Sequence, residues 1–116
     1  YVLNRGHIFL NTSLTETFCM SNLEAAACGL LVVSTNVGGI PEVLPEGMAY
    51  LAKPDAASLT QELFRAIKDY DKVQSQELHQ FVKNTYSWRY VAERTELVYD
   101  AMMEQPVLNT FNKLKS

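Results

Sequence analysis

Met20-Ser21-Asn22-Leu23-Glu24-Ala25-Ala26-Ala27-Cys28-Gly29 runs directly into Leu30-Leu31-Val32-Val33-Ser34-Thr35, and the reading of this junction decides the fold. The first segment is rich in Ala and Leu. It is stopped by Gly29, a residue suited to the left-handed position just past a helix end. The second segment is β-branched and carries no charge, as expected of a strand covered on both faces. Upstream, His7-Ile8-Phe9-Leu10-Asn11 is another short apolar run suited to a buried strand, and the polar loop Thr12-Ser13-Leu14-Thr15-Glu16-Thr17 joins it to the helix. Strand, helix and strand with short joints form the βαβ unit of a parallel sheet. Met48-Ala49-Tyr50-Leu51-Ala52 offers a third strand.

The composition changes near position 54. All five glycines (6, 29, 38, 39 and 47) lie before it, whereas the remainder has none and carries charges at regular intervals. The second part therefore reads as helices. Leu59, Leu63, Ala66, Ile67 and Tyr70 recur at helical spacing behind Asp55, a plausible N-cap; Leu78, Phe81 and Val82 mark a weaker helix around 73–86. Trp88, Val91, Thr95, Val98 and Met102 step by three and four, which predicts a third helix with one packed face, capped by Ser87, ended by Pro106 and anchored in the core by Trp88. The last ten residues are polar with scattered apolar side chains.

Elementary arithmetic narrows the function classes. With 116 residues, 47% hydrophobic and 20% charged, the chain fits one soluble globular domain rather than a disordered tail or a rod. A net charge of −3 supplies no basic stripe, so nucleic acid is not expected as a partner. No run of eighteen apolar residues exists to span a bilayer. Cys19 and Cys28 lie in apolar segments, which points to a reducing compartment with thiols used as small hydrophobes. The chain opens on Tyr1-Val2-Leu3-Asn4, without initiator Met or signal peptide, and is expected to be a fragment that starts in mid-domain.

Two constellations can carry chemistry, and both follow strands at the carboxyl edge of the predicted sheet, where open α/β sheets bind ligands. In the first, Glu16 and Glu24 straddle a loop-to-helix junction. Backbone N–H groups from Phe18 to Ser21 would be free to meet an anion, and Glu24 could accept two hydrogen bonds from a vicinal diol. Plainer readings stand beside these. Ser21-Asn22-Leu23-Glu24 fits a capping box in which Glu24 merely closes on the Ser21 N–H, and Glu16 fits a solvated loop acid favoured by the helix dipole. The second constellation is Asn36-Val37-Gly38-Gly39-Ile40-Pro41-Glu42. Its paired glycines allow positive φ and close approach of backbone to a ligand, though Gly-Gly is also ordinary turn punctuation.

Taken together, E-x₇-E, a glycine at the helix end and V-V-S-T-x-V-G-G-I-P-E resemble the donor-binding signature of retaining glycosyltransferases of the GT-B fold. The resemblance covers roughly residues 6–105 and includes the run Phe9 to Met20, Gly38 to Glu46 and Trp88 to Glu96. It implies a partial Rossmann-like parallel sheet with helices, the latter part of a GT-B C-terminal domain, with a partial donor-binding domain over 1–105 and a tail over 106–116. The longer runs are similar to the branch of the family that moves N-acetylglucosamine from UDP-N-acetylglucosamine to phosphatidylinositol, starting glycosylphosphatidylinositol anchors.

That resemblance implies roles residue by residue. Glu24 would hold the ribose hydroxyls of UDP, and Glu16 the hydroxyls of N-acetylglucosamine. The backbone of Phe18, Cys19 and Met20 would line the diphosphate and sugar, and Gly38-Gly39 would shape the nearby wall. Catalytic weight falls on Glu16 and Glu24, with no metal and no cofactor beyond the nucleotide sugar. The family's basic Arg/Lys pair, which completes the diphosphate pocket, falls upstream of the segment matching Tyr1, and Arg5 precedes the strand and does not replace it. The isolated chain is therefore expected to be inactive. Thr17 stands where many relatives have Gly or Ala, and Cys19 where many have Gly, which implies a slightly tighter approach to the donor. The acceptor phosphatidylinositol would be held by a missing N-terminal domain. Other subunits of a membrane transferase complex would be partners, at the cytosolic face of the endoplasmic reticulum membrane. Alternatives are a non-enzymatic truncated α/β module and a transferase using another nucleotide sugar.

The remaining residues of note read as structural. His7 caps or packs at a strand start, His79 is solvated, and the formal glycosylation sequon Asn11-Thr12-Ser13 is expected to stay unmodified beside the site.

Overall fold

The computed structural model describes residues 2–72 and 75–104. Contacts divide the chain into two units, Tyr1–Val82 and Lys83–Ser116. In the first, a 3₁₀ turn at Leu3–Arg5 leads into strand β1 (Ile8–Leu10), helix α1 (Met20–Ala27), strand β2 (Leu31–Thr35), the one-turn helix α2 (Ile40–Val43), strand β3 (Ala49–Ala52) and helix α3 (Ala56–Asp69). Helix α4 (Ser75–Tyr86) begins in this unit.

The three strands form one parallel sheet in the order β1-β2-β3, with Phe9 opposite Val32 and Val33 opposite Tyr50. All five residues of β2 are buried, which explains their lack of charge. Alternation then sorts them. Leu31 and Val33 join Ala66 of α3 and Leu78 of α4 in one core, lined by Ile8, Met48, Tyr50 and Leu63. Ser34 belongs to the other face, where it meets Asn22 of α1.

Helix α1 ends as its sequence predicts. Gly29 takes φ +79°, its N–H reaches the Ala26 carbonyl at 2.9 Å, and the Leu30 N–H reaches Ala25 at 3.0 Å. This is the Schellman pattern, which satisfies two otherwise orphaned carbonyls. A side chain at Gly29 would also press on Ser75, whose Cβ lies 3.0 Å from the position of the missing methyl. Helix α3 starts on Asp55, whose carboxylate accepts the Ser58 N–H and hydroxyl, both at 2.8 Å. Its packed face is narrower than the spacing predicts: Leu59, Leu63 and Ala66 turn inward, whereas Ile67 and Tyr70 are exposed.

In the second unit, the end of α4 is followed by helix α5 (Trp88–Glu104). Ser87 directly precedes α5 and its carbonyl accepts the Val91 N–H at 3.0 Å; the Arg94 guanidinium donates to the Thr85 carbonyl at 2.6 Å. The expected core anchor is not one: Trp88 is 88% exposed, and Val98 and Met102 are exposed too. Helical spacing shows which residues share a face, not whether anything covers that face. The expected stop at Pro106 and the tail over 106–116 lie outside the described residues. Among the described residues, no helix is long and apolar enough to cross a membrane.

Candidate functional site

Two loops leave the carboxyl ends of neighbouring strands: residues 11–19 after β1 and residues 36–39 after β2. Asn11 organises the first. Its Oδ1 accepts the Ser13 N–H at 3.0 Å and the Ser13 hydroxyl at 2.8 Å, while its Nδ2 donates to Ser34 Oγ at 3.1 Å and to Cys19 Sγ at 3.0 Å. The Thr35 hydroxyl donates to the Ser13 carbonyl at 2.6 Å. Ser34 and Thr35, both fully buried, thus end an apolar strand in two hydroxyls because the neighbouring loop needs them. Asn22, 1% exposed, donates to Ser34 Oγ at 3.0 Å and leaves its own Oδ1 buried without a partner. In the folded loop the Asn11 nitrogen of the formal sequon is thus engaged twice.

The paired glycines first serve the neighbouring loop. The Gly39 N–H donates to the Glu16 carbonyl at 3.2 Å. A methyl on Gly38 would overlap the Glu16 carbonyl oxygen, and one on Gly39 would overlap that of Thr17. Gly38 has φ +54°, whereas Gly39 has φ −85° and ψ 0°, a conformation open to any residue. The two constellations are therefore one assembly, with the acidic loop seated on the Gly-Gly backbone.

Helix α1 begins two residues before the position that the capping-box reading gives it. Its N-cap is Cys19, in the left-handed region at φ 61° and ψ 72°, and Ser21 is already helical. The capping box is thus overturned, because a residue inside the helix cannot also flank it. Glu24 is exposed in the body of α1. The N–H groups of Met20 and Ser21 lie in the first turn, where helix geometry provides no intrahelical acceptor. Cys19 is buried, its Sγ 3.3 Å from Ser21 Oγ, while Phe18 and Met20 are exposed on either side. Glu16 is half-buried, and its Oε1 receives the Ser13 hydroxyl at 3.1 Å, so it is more than a solvated loop acid. The structure thus brings Glu16, Phe18, Cys19 and Met20 together at one junction, with Gly38-Gly39 against it and Glu24 one helical turn onward.

Two expectations change at the margins, and a third, that His7 caps or packs, is met. Cys28 is exposed rather than packed. His79, although exposed, is tied by its Nδ1 to the Ala27 carbonyl at 2.6 Å, which fastens the end of α1 to α4. His7 packs edge-on against the Tyr70 ring at 5.5 Å.

Away from these loops, a concavity of about 340 Å³ lies along β3 and α3, lined by Glu46, Tyr50, Arg65 and Asp69 among others. Pairs run among its polar groups and their neighbours: Tyr50 OH with Asp69 at 3.4 Å, Arg65 with Glu62 at 2.8 Å and Lys72 with Asp69 at 2.7 Å. Burial, and then the Asp69 carboxylate, push the Tyr50 phenol above its usual value, and Lys72 holds Asp69 below its own. These pairs are structural.

Reasoning from sequence did not single out Asn11 as an organiser, nor Ser13, Asn22, Ser34 and Thr35. The available signal was the pair of hydroxyls closing an otherwise apolar strand.

With fold and site in view, comparison with known proteins places the chain. Residues 1–69 match the family described as glycosyl transferases group 1, and the chain belongs to that family. Its relatives include a subunit of phosphatidylinositol N-acetylglucosaminyltransferase in three organisms. The human one is 56% identical over 110 residues, covering 92% of this chain and 23% of that protein. Its Arabidopsis thaliana namesake is 52% identical over 103 residues, covering 89% and 23%. The gpi3 subunit of that transferase in Schizosaccharomyces pombe is 47% identical over 116 residues, covering 98% and 25%. The chain thus spans about a quarter of the length of these curated relatives. A sucrose-phosphate synthase from Thermosynechococcus elongatus superposes with a TM-score of 0.74 at 24% identity, over 88% of this chain and 27% of that one, which shows the fold. The expected GT-B-type parallel sheet is met.

Proposed function

We propose that this chain is the donor-binding portion of a retaining glycosyltransferase that moves N-acetylglucosamine from UDP-N-acetylglucosamine to phosphatidylinositol, the first step of glycosylphosphatidylinositol anchor synthesis. The names of the human, plant and fission-yeast relatives support this reading. The observation that carries it within the chain is the capping geometry: with Cys19 as N-cap, Glu24 is exposed rather than spent on a capping box.

In this reading the Glu24 carboxylate accepts hydrogen bonds from the ribose diol. The first N–H groups of α1 and the backbone of Phe18, Cys19 and Met20 meet the diphosphate and sugar. Glu16 binds hydroxyls of N-acetylglucosamine, and Gly38-Gly39 form the adjoining wall. Departure of UDP places negative charge on a diphosphate oxygen, so fixed N–H dipoles and cations lower the barrier without a dedicated nucleophile or metal. The relatives are named as subunits, which supports partner polypeptides; the membrane of the endoplasmic reticulum, at its cytosolic face, is the proposed location.

The test exchanges the matching segment of the human relative for this chain in cells lacking that relative. Surface display of anchored proteins, read by flow cytometry, is expected to return. Glu24→Ala in the exchanged segment should abolish it, and near-normal display in that variant would sink the assignment. The purified 116-residue chain is expected to transfer no sugar by itself.

A further inference from the structure

We infer that Ser13, anchored by Asn11, is a positioning residue that holds the Glu16 carboxylate ready for the donor sugar; the inference rests on the donor reading above. Glu16 is fixed at two levels. Its backbone carbonyl is held by the Gly39 N–H at 3.2 Å, and Ser13, three residues earlier, is tied to β2 through the Thr35 hydroxyl at 2.6 Å. Its side chain is reached by the Ser13 hydroxyl, 3.1 Å from Oε1.

That hydroxyl has one proton and two acceptors in range, Glu16 Oε1 and Asn11 Oδ1. Asn11 Oδ1 already receives the Ser13 N–H at 3.0 Å, so it does not depend on the hydroxyl. A charged carboxylate is also the stronger acceptor. The hydroxyl serves both, 2.8 Å from Asn11 Oδ1 and 3.1 Å from Glu16 Oε1, and ties the loop acid to Asn11. Asn11 in turn is locked by the buried Ser34, so an unbroken path of hydrogen bonds runs from the sheet interior to the loop acid. A Glu side chain with free rotamers loses that freedom when it binds a sugar, and a carboxylate held beforehand does not.

Ser13→Ala removes only the hydroxyl and leaves the Ser13 N–H and carbonyl contacts in place, whereas Ser13→Thr keeps a hydroxyl. In the 116-residue chain, side-chain couplings measured by NMR should show Glu16 in one rotamer in the wild type, averaged in Ser13→Ala and restored in Ser13→Thr. In the full-length human relative carrying this chain in place of its matching segment, affinity for UDP-N-acetylglucosamine should fall in Ser13→Ala by roughly twofold to tenfold, the range of one net hydrogen bond, with affinity for UDP alone unchanged. Adding Ser13→Ala to Glu16→Ala should cost nothing more. Rotamer averaging in the wild type, equal losses for UDP and the sugar nucleotide, or additive losses in the double variant would each overturn the inference. If neither nucleotide binds the full-length human relative carrying this chain in place of its matching segment, while Glu16 keeps one rotamer, the donor reading fails and takes with it the purpose assigned to Ser13.

Discussion

Adding one methyl group at each of three glycines separates steric from conformational constraint in the site. Gly39 has an ordinary backbone, but its Cβ would overlap the Thr17 carbonyl oxygen. Gly47, with φ +87°, has nothing within 4 Å of that position. Gly38 combines both conditions, with φ +54° and the Glu16 carbonyl in the way. An alanine forced into the left-handed region costs roughly 1–2 kcal/mol, which is the whole effect expected of Gly47→Ala. For Gly39→Ala the loops must part. Overpacking costs about 1–3 kcal/mol and loss of the Gly39 N–H to Glu16 bond about 1 kcal/mol, which gives about 2–4 kcal/mol. Gly38→Ala should carry both penalties, about 3–6 kcal/mol. Urea unfolding followed by circular dichroism, extrapolated linearly, measures all three. If Gly39→Ala lies within about 0.5 kcal/mol of the parent, the two loops are not seated on each other as described. If Gly38→Ala costs no more than Gly47→Ala, the steric part of the reasoning fails.

Cys19 carries left-handed strain that a glycine would not, so Cys19→Gly should be more stable than Cys19→Ala by about 1 kcal/mol in the same assay; the opposite order would refute the strained N-cap. His79→Phe removes the hydrogen bond to the Ala27 carbonyl and should cost about 1 kcal/mol, with faster amide exchange at the end of α1. The Tyr50 phenol should titrate above its ordinary value in a spectrophotometric titration. Because its folded-state value is raised, the associated stability is complete below the unfolded value and lost as pH rises through the folded one. Asp69→Asn should bring the phenol only part of the way down, because burial is the larger cause.

Much of the fold was legible because its signals are local. An uncharged β-branched run marks a doubly covered strand, and Gly29 and Asp55 mark helix boundaries whose chemistry acts within three residues. The site was legible as a place but not as an assembly. Nothing local distinguishes a Gly-Gly turn from one against which another backbone must lie, and that distinction rests on Glu16 and Thr17, more than twenty residues away. Ser21 drew the capping assignment because serine favours N-caps. The structure instead caps the helix with a buried cysteine that accepts a hydrogen bond from Asn11. Trp88 misled for a related reason: an aromatic in an apolar stripe implies a cover, and only tertiary structure shows whether one exists.

The ties of α1 also set an order of events during synthesis. The Ser13 carbonyl waits 22 residues for the Thr35 hydroxyl, and the Ala27 carbonyl waits 52 for His79. At roughly 5–20 residues per second those intervals are roughly one to four and three to ten seconds. Through them α1, with 8 residues, is shorter than the roughly 12–15 that an isolated helix needs in water. A nascent chain therefore exposes Leu23, Ala25 and Ala26 until β2 follows to pack against α1, and a ribosome stalled between β2 and α4 would leave the end of α1 unfastened for as long as it paused.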